Sequence, residues 1–222
     1  MSFVVQRLHS LIRPGLILGA ARTKNAVHSQ QSRWDSACAI HCLAMLLNIC
    51  GLVSDPSQIA TRRRRLEVAL WRKTAEIFQK GMTFSELASF ISELDCGLHT
   101  KLFERGSHRE AIGFVERELT RGRLVIGSVR AVGDTQSHAV VVIGVEGFQA
   151  SRQFKAHTLL ILDPAAGPPE AMATCNARLH YTGKQSGQLP RYARYKTVSG
   201  EMSSVVLNGA VAVAVAESGK PP

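Results

Sequence analysis

Residues 38–51 read CAIHCLAMLLNICG. Ala39, Cys42, Leu43, Leu46, Leu47 and Ile49 fall around much of a helical circumference, so the spacing predicts a helix buried on most sides. Asp35 or Ser36 is placed to cap its start, and Gly51 to end it. Cys38 then stands at the N-terminal edge of a buried helix. There the unpaired backbone N–H groups and the helix dipole favour a thiolate over a thiol, whose ordinary pKa is about 8.5.

Downstream of Gly51, Ser54, Asp55 and Pro56 open a second helical stretch, since proline suits a first turn. Residues Arg62 to Gln79 follow a helical pattern, and Thr83 with Glu86 has capping-box spacing before Phe84, Leu87, Phe90, Ile91 and Leu94. Asp95, Cys96 and Gly97 close that helix. Leu98 to Phe103 reads as a strand, and Arg109 to Thr120 as an amphipathic helix. The period then changes. Leu124 to Val129, Ala139 to Val145, His157 to Leu162 and Val205 to Val215 are short apolar runs bounded by turn residues, which predicts strands. Helices first and an antiparallel sheet second predict an α+β fold in two layers, the N-terminal helical part packed on the sheet.

Two further residues complete a constellation with Cys38. His138 opens an apolar strand, and Asp163, followed by Pro164, ends the next one, so neighbouring strands can hold them side by side. A thiol, an imidazole and a carboxylate that orients the ring form the general recipe for an activated cysteine nucleophile. Singly, each has a plainer explanation. A lone helical Cys is most often a small core residue, a His before a strand is most often a surface group, and Asp-Pro is ordinary turn chemistry. Their order and the quality of the elements carrying them favour the chemical reading.

The stretch 38–51 resembles the nucleophile helix of the bacteriocin-processing, double-glycine leader peptidases, a family of papain-like cysteine peptidases. Leu43, Ala44, Met45 and Gly51 stand at the family's offsets from the nucleophile. HAVVVIGV (138–145) is similar to the family's histidine strand, and LILDPAAG (160–167) to its aspartate strand. The middle section, a Gly-led helix from Gly81 to Leu94 and a Gly-led strand from Gly97 to Phe103, also fits. The resemblance covers about residues 31–168, and more loosely to 215. It implies a papain-like fold, a Cys38–His138–Asp163 triad, a peptide or protein substrate, and neither cofactor nor metal. It also implies a glutamine about six residues before the Cys that helps the Cys38 backbone N–H bind the oxyanion. Ser32 occupies that place, so Gln31 is the expected donor and Gln30 the alternative. Ala39 replaces the usual Gly after the nucleophile, and Arg62 to Gln79 has no counterpart in the family. Two other activities fit the same residues: a non-catalytic peptide-binding module of this fold, or an acyl transferase or deamidase. Inert relatives usually lack the nucleophile, which argues against the first.

Length and composition agree with one soluble domain. The 222 residues are 45% hydrophobic and 20% charged, enough chain to bury about 70% of its unfolded surface. Five cysteines without framework spacing point to reduced thiols and a cytoplasmic setting, or to an exported effector without a Sec-type signal. No apolar run reaches the length of a membrane span, and no Gly-rich phosphate loop is present, so a stand-alone domain is expected. The boundaries read as a basic N-terminal extension at 1–30 (Arg7, Arg13, Arg22 and Lys24 without an acid), the domain at 31–216 and a tail at 217–222. The formal charge of +10 suggests an acidic partner; the run Arg62 to Arg65, with Arg72 and Lys73, reads first as a solvated helical face and second as a docking patch for that partner. Nucleic acid is disfavoured, since aromatic and basic residues do not interleave. A zinc site from Cys38, Cys42 and His138 lacks paired-cysteine spacing. Cys96 and Cys175 read as core or loop thiols, and His99, His108, His157 and His180 as structural or exposed.

Overall fold

The computed structural model describes residues 2–21, 25–33, 35–170, 172–182 and 191–216. The tail at 217–222, together with Arg22 and Lys24 of the basic N-terminal stretch, lies outside them.

Helix α1 (Cys38–Ile49) is the centre of the first core. Every one of its residues except Cys38 and His41 is buried, as an all-round apolar pattern requires. Its N-cap is Ala37, without a side-chain cap. The expectation of an Asp35 or Ser36 cap is corrected: the Asp35 carboxylate accepts the Ala37 N–H at 3.0 Å, one step before the helix. Gly51, at φ +77°, ends α1, and the Leu52 N–H returns to the Leu47 carbonyl at 2.8 Å. The stretch after Ser54 forms only a 3₁₀ turn, Pro56–Gln58.

Helix α2 (Arg65–Ile77) starts later than the pattern suggested, with Arg64 as its N-cap. The basic run therefore does not share one helical face. Arg62, Arg63 and Arg64 precede the helix, and the Arg65 guanidinium donates to the Leu94 and Asp95 carbonyls. Helix α3 (Phe84–Glu93) has the expected Thr83–Glu86 capping box, and α4 (His108–Thr120) has a second one from Ser107 and Glu110. No helix among the described residues is long and apolar enough to cross a membrane.

The strands are β1 (Ser2–Leu8), β2 (Ile12–Arg13), β3 (Gly19–Ala20), β4 (Leu98–Glu104), β5 (Leu124–Ala131), β6 (His138–Ala150), β7 (Gln153–Leu162), β8 (Ala177–His180), β9 (Ala193–Thr197) and β10 (Met202–Val215). All pairings are antiparallel. Strands β5, β10, β9, β8, β7 and β6 close on themselves as a six-stranded barrel, with β4 added along β10 and β1 along β6. The fold is thus α+β, with four α-helices among the described residues and an antiparallel sheet.

Alternate residues of the central strands serve two cores. Ile126, Val141, Ile143, Leu160 and Val211 pack with α1, α2 and α3. Val125, Val140, Val142, Leu159 and Ile161 pack with α4 and the barrel interior. Both faces are covered, which explains runs such as AVVVIG at 139–144 where a one-sided sheet would alternate.

The first residues, read from the sequence as a basic extension, include a strand of the sheet. Strand β1 pairs with β6 from Ser2 opposite Ala150 to Leu8 opposite Gly144. A Cβ on Gly144 would lie 2.4 Å from the Arg7 carbonyl oxygen, a backbone atom that cannot step aside. Gly144→Ala should therefore peel β1 from the sheet. Amide hydrogen exchange checks this: protection at residues 4–8 is expected to fall sharply while that of β5 and β10 persists.

Candidate active site

Strand pairing brings the predicted histidine and aspartate together. Val141 of β6 pairs with Leu162 of β7, so His138, the first residue of β6, lies beside Asp163, the residue after β7. His138 Nε2 is 2.6 Å from Asp163 Oδ1. Packing of α1 on β6 brings Cys38 to the same corner, where the Ala139 N–H donates to Sγ at 3.5 Å. With Nε2 taken by Asp163, Nδ1 is the ring nitrogen left to serve the neighbouring Cys38 thiol.

Asp163 is 3% exposed and firmly held. Its Oδ1 also accepts the Ala165 N–H at 2.8 Å, and its Oδ2 accepts the Tyr195 hydroxyl at 2.6 Å. Asn176 clamps the backbone of the same residue. Its Oδ1 accepts the Asp163 N–H at 2.7 Å, and its Nδ2 donates to the Asp163 carbonyl and the Gly167 carbonyl, both at 2.8 Å. His28 Nε2 lies 3.1 Å from that same Asp163 carbonyl. Tyr195, Asn176 and His28 carried no sequence signal. A tyrosine in an Arg-rich strand and an isolated Asn have no local pattern, because their roles exist only across chain separations of 32, 13 and 135 residues.

Burial is the largest influence on all three groups, and in each the charged form wins nonetheless. Burial pushes the Cys38 thiol up, but the His138 hydrogen bond and positive charge, with the Ala139 and Ala39 N–H groups, hold it below its ordinary value. Burial pushes His138 down, yet the hydrogen bonds and negative charges of Asp163 and Cys38 raise it to about 10. Asp163 lies below the usual carboxylate value because His138, Tyr195 and Ala165 together outweigh its burial. All three shifts favour the charged forms, thiolate, imidazolium and carboxylate. Burial and the Asp163 charge push Tyr195 far up, so its hydroxyl keeps the proton that it donates.

Gln31 and Gln30 part company. Gln31 lines an open cleft of about 1440 Å³ together with Cys38 and His138, whereas Gln30 and Ser32 line a separate apolar groove. The Gln31 N–H donates to the Pro164 carbonyl at 2.7 Å, and its side-chain Nε2 to the Asp35 carbonyl at 2.6 Å. The Asp35 carboxylate in turn takes the Ser32 N–H at 2.9 Å. This loop is thus built around Asp35 and tied to the turn that follows Asp163. Cys38 is the first residue of α1, so its backbone N–H has no acceptor within the helix.

Cys42, one turn into α1, is fully buried, and burial pushes its thiol well up, as befits a core residue. None of the five cysteines forms a disulfide. Among the described residues no group of three or more His, Cys, Asp or Glu is placed to hold a metal ion. No protein-family model matches the chain, and no curated protein matches it.

Proposed function

We propose that this chain is a thiol hydrolase of papain type, most simply a peptidase, with Cys38 as nucleophile, His138 as acid and base, and Asp163 as the residue that orients the ring. The observation that carries the proposal is the 2.6 Å pairing of His138 Nε2 with Asp163 at the corner where the Ala139 N–H meets Cys38 Sγ, with Cys38 and His138 both lining one open cleft. A buried nucleophile helix packed against an antiparallel barrel that carries the His and Asp supports a papain-like fold. Five cysteines without a disulfide support a reducing, cytoplasmic setting.

The steps follow from the proton positions. The Cys38 thiolate attacks the acyl carbon, and the His138 Nδ1–H protonates the leaving amine as the C–N bond breaks. The now neutral imidazole takes a proton from water, whose oxygen attacks the thioester. Collapse of that intermediate frees the acid and restores the ion pair. In this mechanism the Gln31 amide and the Cys38 backbone N–H are the donors for the oxyanion of both addition steps. Gln31→Ala should lower kcat about 10²- to 10³-fold with little change in Cys38 alkylation, measured in parallel.

The direct test is the pH dependence of Cys38 alkylation by iodoacetamide, located by peptide mass spectrometry. A thiolate held below its ordinary pKa reacts fast well below pH 8.5, and its rate falls only as acid protonates the sulfur. A rate that rises only with the titration of an ordinary thiol would sink the proposal.

A further inference from the structure

A second cavity of about 460 Å³ lies between the start of α4 and the turn joining β5 to β6. It abuts the catalytic cleft at three places along the chain. Gly106 lines the cleft and Ser107 the cavity; Asp134 lines the cleft and Gly133 the cavity; Asn208 lines the cleft and Val206 the cavity. At about 3.3 Å per strand residue, Val206 and Asn208 are roughly 7 Å apart, two residue steps of an extended peptide.

The lining of this cavity is charged with one sign. Arg109, Arg130 and Arg191 all border it, and none of its described lining residues is an acid. Nearby carboxylates do not neutralise them. Glu110 is taken up by the Ser107 N–H and hydroxyl, and Arg130 reaches the backbone carbonyl of Asp134 at 2.9 Å. Among the described residues, no ion pair engages any of the three arginines. His108 lines the same cavity. Its Nδ1 accepts the Leu207 N–H at 2.9 Å, so in the neutral ring Nε2 carries the hydrogen, and that buried atom has no partner. Three like charges bordering one cavity, with no acid in its described lining, make a site that an anionic group completes.

We propose that this cavity is an anion subsite that receives an acidic side chain, a carboxylate or a phosphate ester, of the peptide occupying the catalytic cleft. The substrate part of this inference rests on the peptidase reading; the anion site itself does not. It also relocates the acidic-partner expectation raised by the +10 charge, away from Arg62 to Arg65 and onto residues beside the cleft.

The test uses the full chain carrying Cys38→Ala, which can bind without turning over. The His108 imidazole resonances, assigned with a His108→Gln variant, are followed by NMR against three probes: inorganic phosphate, the peptide acetyl-Gly-Gly-Glu-Gly-Gly-amide and its Gln counterpart. The expected result is a saturable shift with phosphate and with the Glu peptide. Binding of the Gln peptide should be at least about tenfold weaker, and the Glu response should be lost when Arg109→Gln and Arg130→Gln are added. Equal binding of the Glu and Gln peptides, or shifts that survive the arginine changes, would overturn the proposal. Shifts with phosphate alone would assign the cavity to a free ion and overturn the substrate reading. In the chain that retains Cys38, the arginine variant should be alkylated by iodoacetamide at the unaltered rate, so a failed subsite and a failed nucleophile give different results.

Discussion

Replacing Cys38 by alanine should lower kcat/KM toward a cleaved peptide by a factor on the order of 10⁶, to the background left by binding and oxyanion donors. The same variant should lose all iodoacetamide labelling at this position. Its stability should change little. Cys38 is only partly buried at the first position of α1, and alanine suits a helix start. Removing the sulfur also removes a desolvated negative charge, while the imidazolium keeps Asp163 as its partner at 2.6 Å. A buried charge that loses only one of two partners suffers far less than an orphaned one. Thermal unfolding is therefore expected within a few degrees of the parent. The two readouts must be taken together. Lost turnover with an unchanged melting point assigns the sulfur a chemical role, whereas retained turnover on Cys38→Ala refutes the mechanism.

The parts of this site that the sequence disclosed are those with local periodicity behind them. Helix α1 was legible because its apolar residues run round the whole circumference, and His138 and Asp163 because each borders an uninterrupted apolar strand. Gln31 was reached only through the resemblance to the leader peptidases; its place on the cleft depends on a backbone bond to Pro164 in the turn after β7. The short strands β8 and β9 were missed, since four or five residues with charged outer positions, such as ARLH and ARYKT, have too little alternation to stand out. They bring in Tyr195 and, just before β8, Asn176, so the shell that holds Asp163 was invisible with them. Strand β1 was hidden for a different reason. SFVVQRL is mostly exposed, and it becomes a strand because β6 offers it an edge kept open by Gly144. A partner's glycine cannot be read from the strand it admits.

Removing the Asp163 side chain should have the second-largest effect, and the neighbours explain why two substitutions should differ. In Asp163→Ala, His138 Nε2–H, the Tyr195 hydroxyl and the Ala165 N–H all lose their acceptor inside a buried pocket. The ring is freed to turn and to adopt the wrong tautomer. A loss on the order of 10⁴-fold in kcat/KM is expected, with about 3–5 kcal/mol less stability by urea unfolding. In Asp163→Asn, the amide oxygen can still accept from His138 and Ala165. The amide NH₂ then faces Tyr195, whose hydroxyl can turn and accept instead of donating. Geometry and tautomer survive, so the stability loss should be smaller; what disappears is the negative charge. The sign of the pH effect follows. Without the carboxylate the imidazolium is less favoured, so His138 falls from about 10 toward its ordinary value. Cys38 then loses its positive neighbour as pH rises through the lowered His138 value, and the thiolate is harder to form. The midpoint of the alkylation profile must therefore move up in Asp163→Asn, toward that of a free thiol. An unmoved midpoint would show that Asp163 does not act through His138 and would reduce it to a structural acceptor.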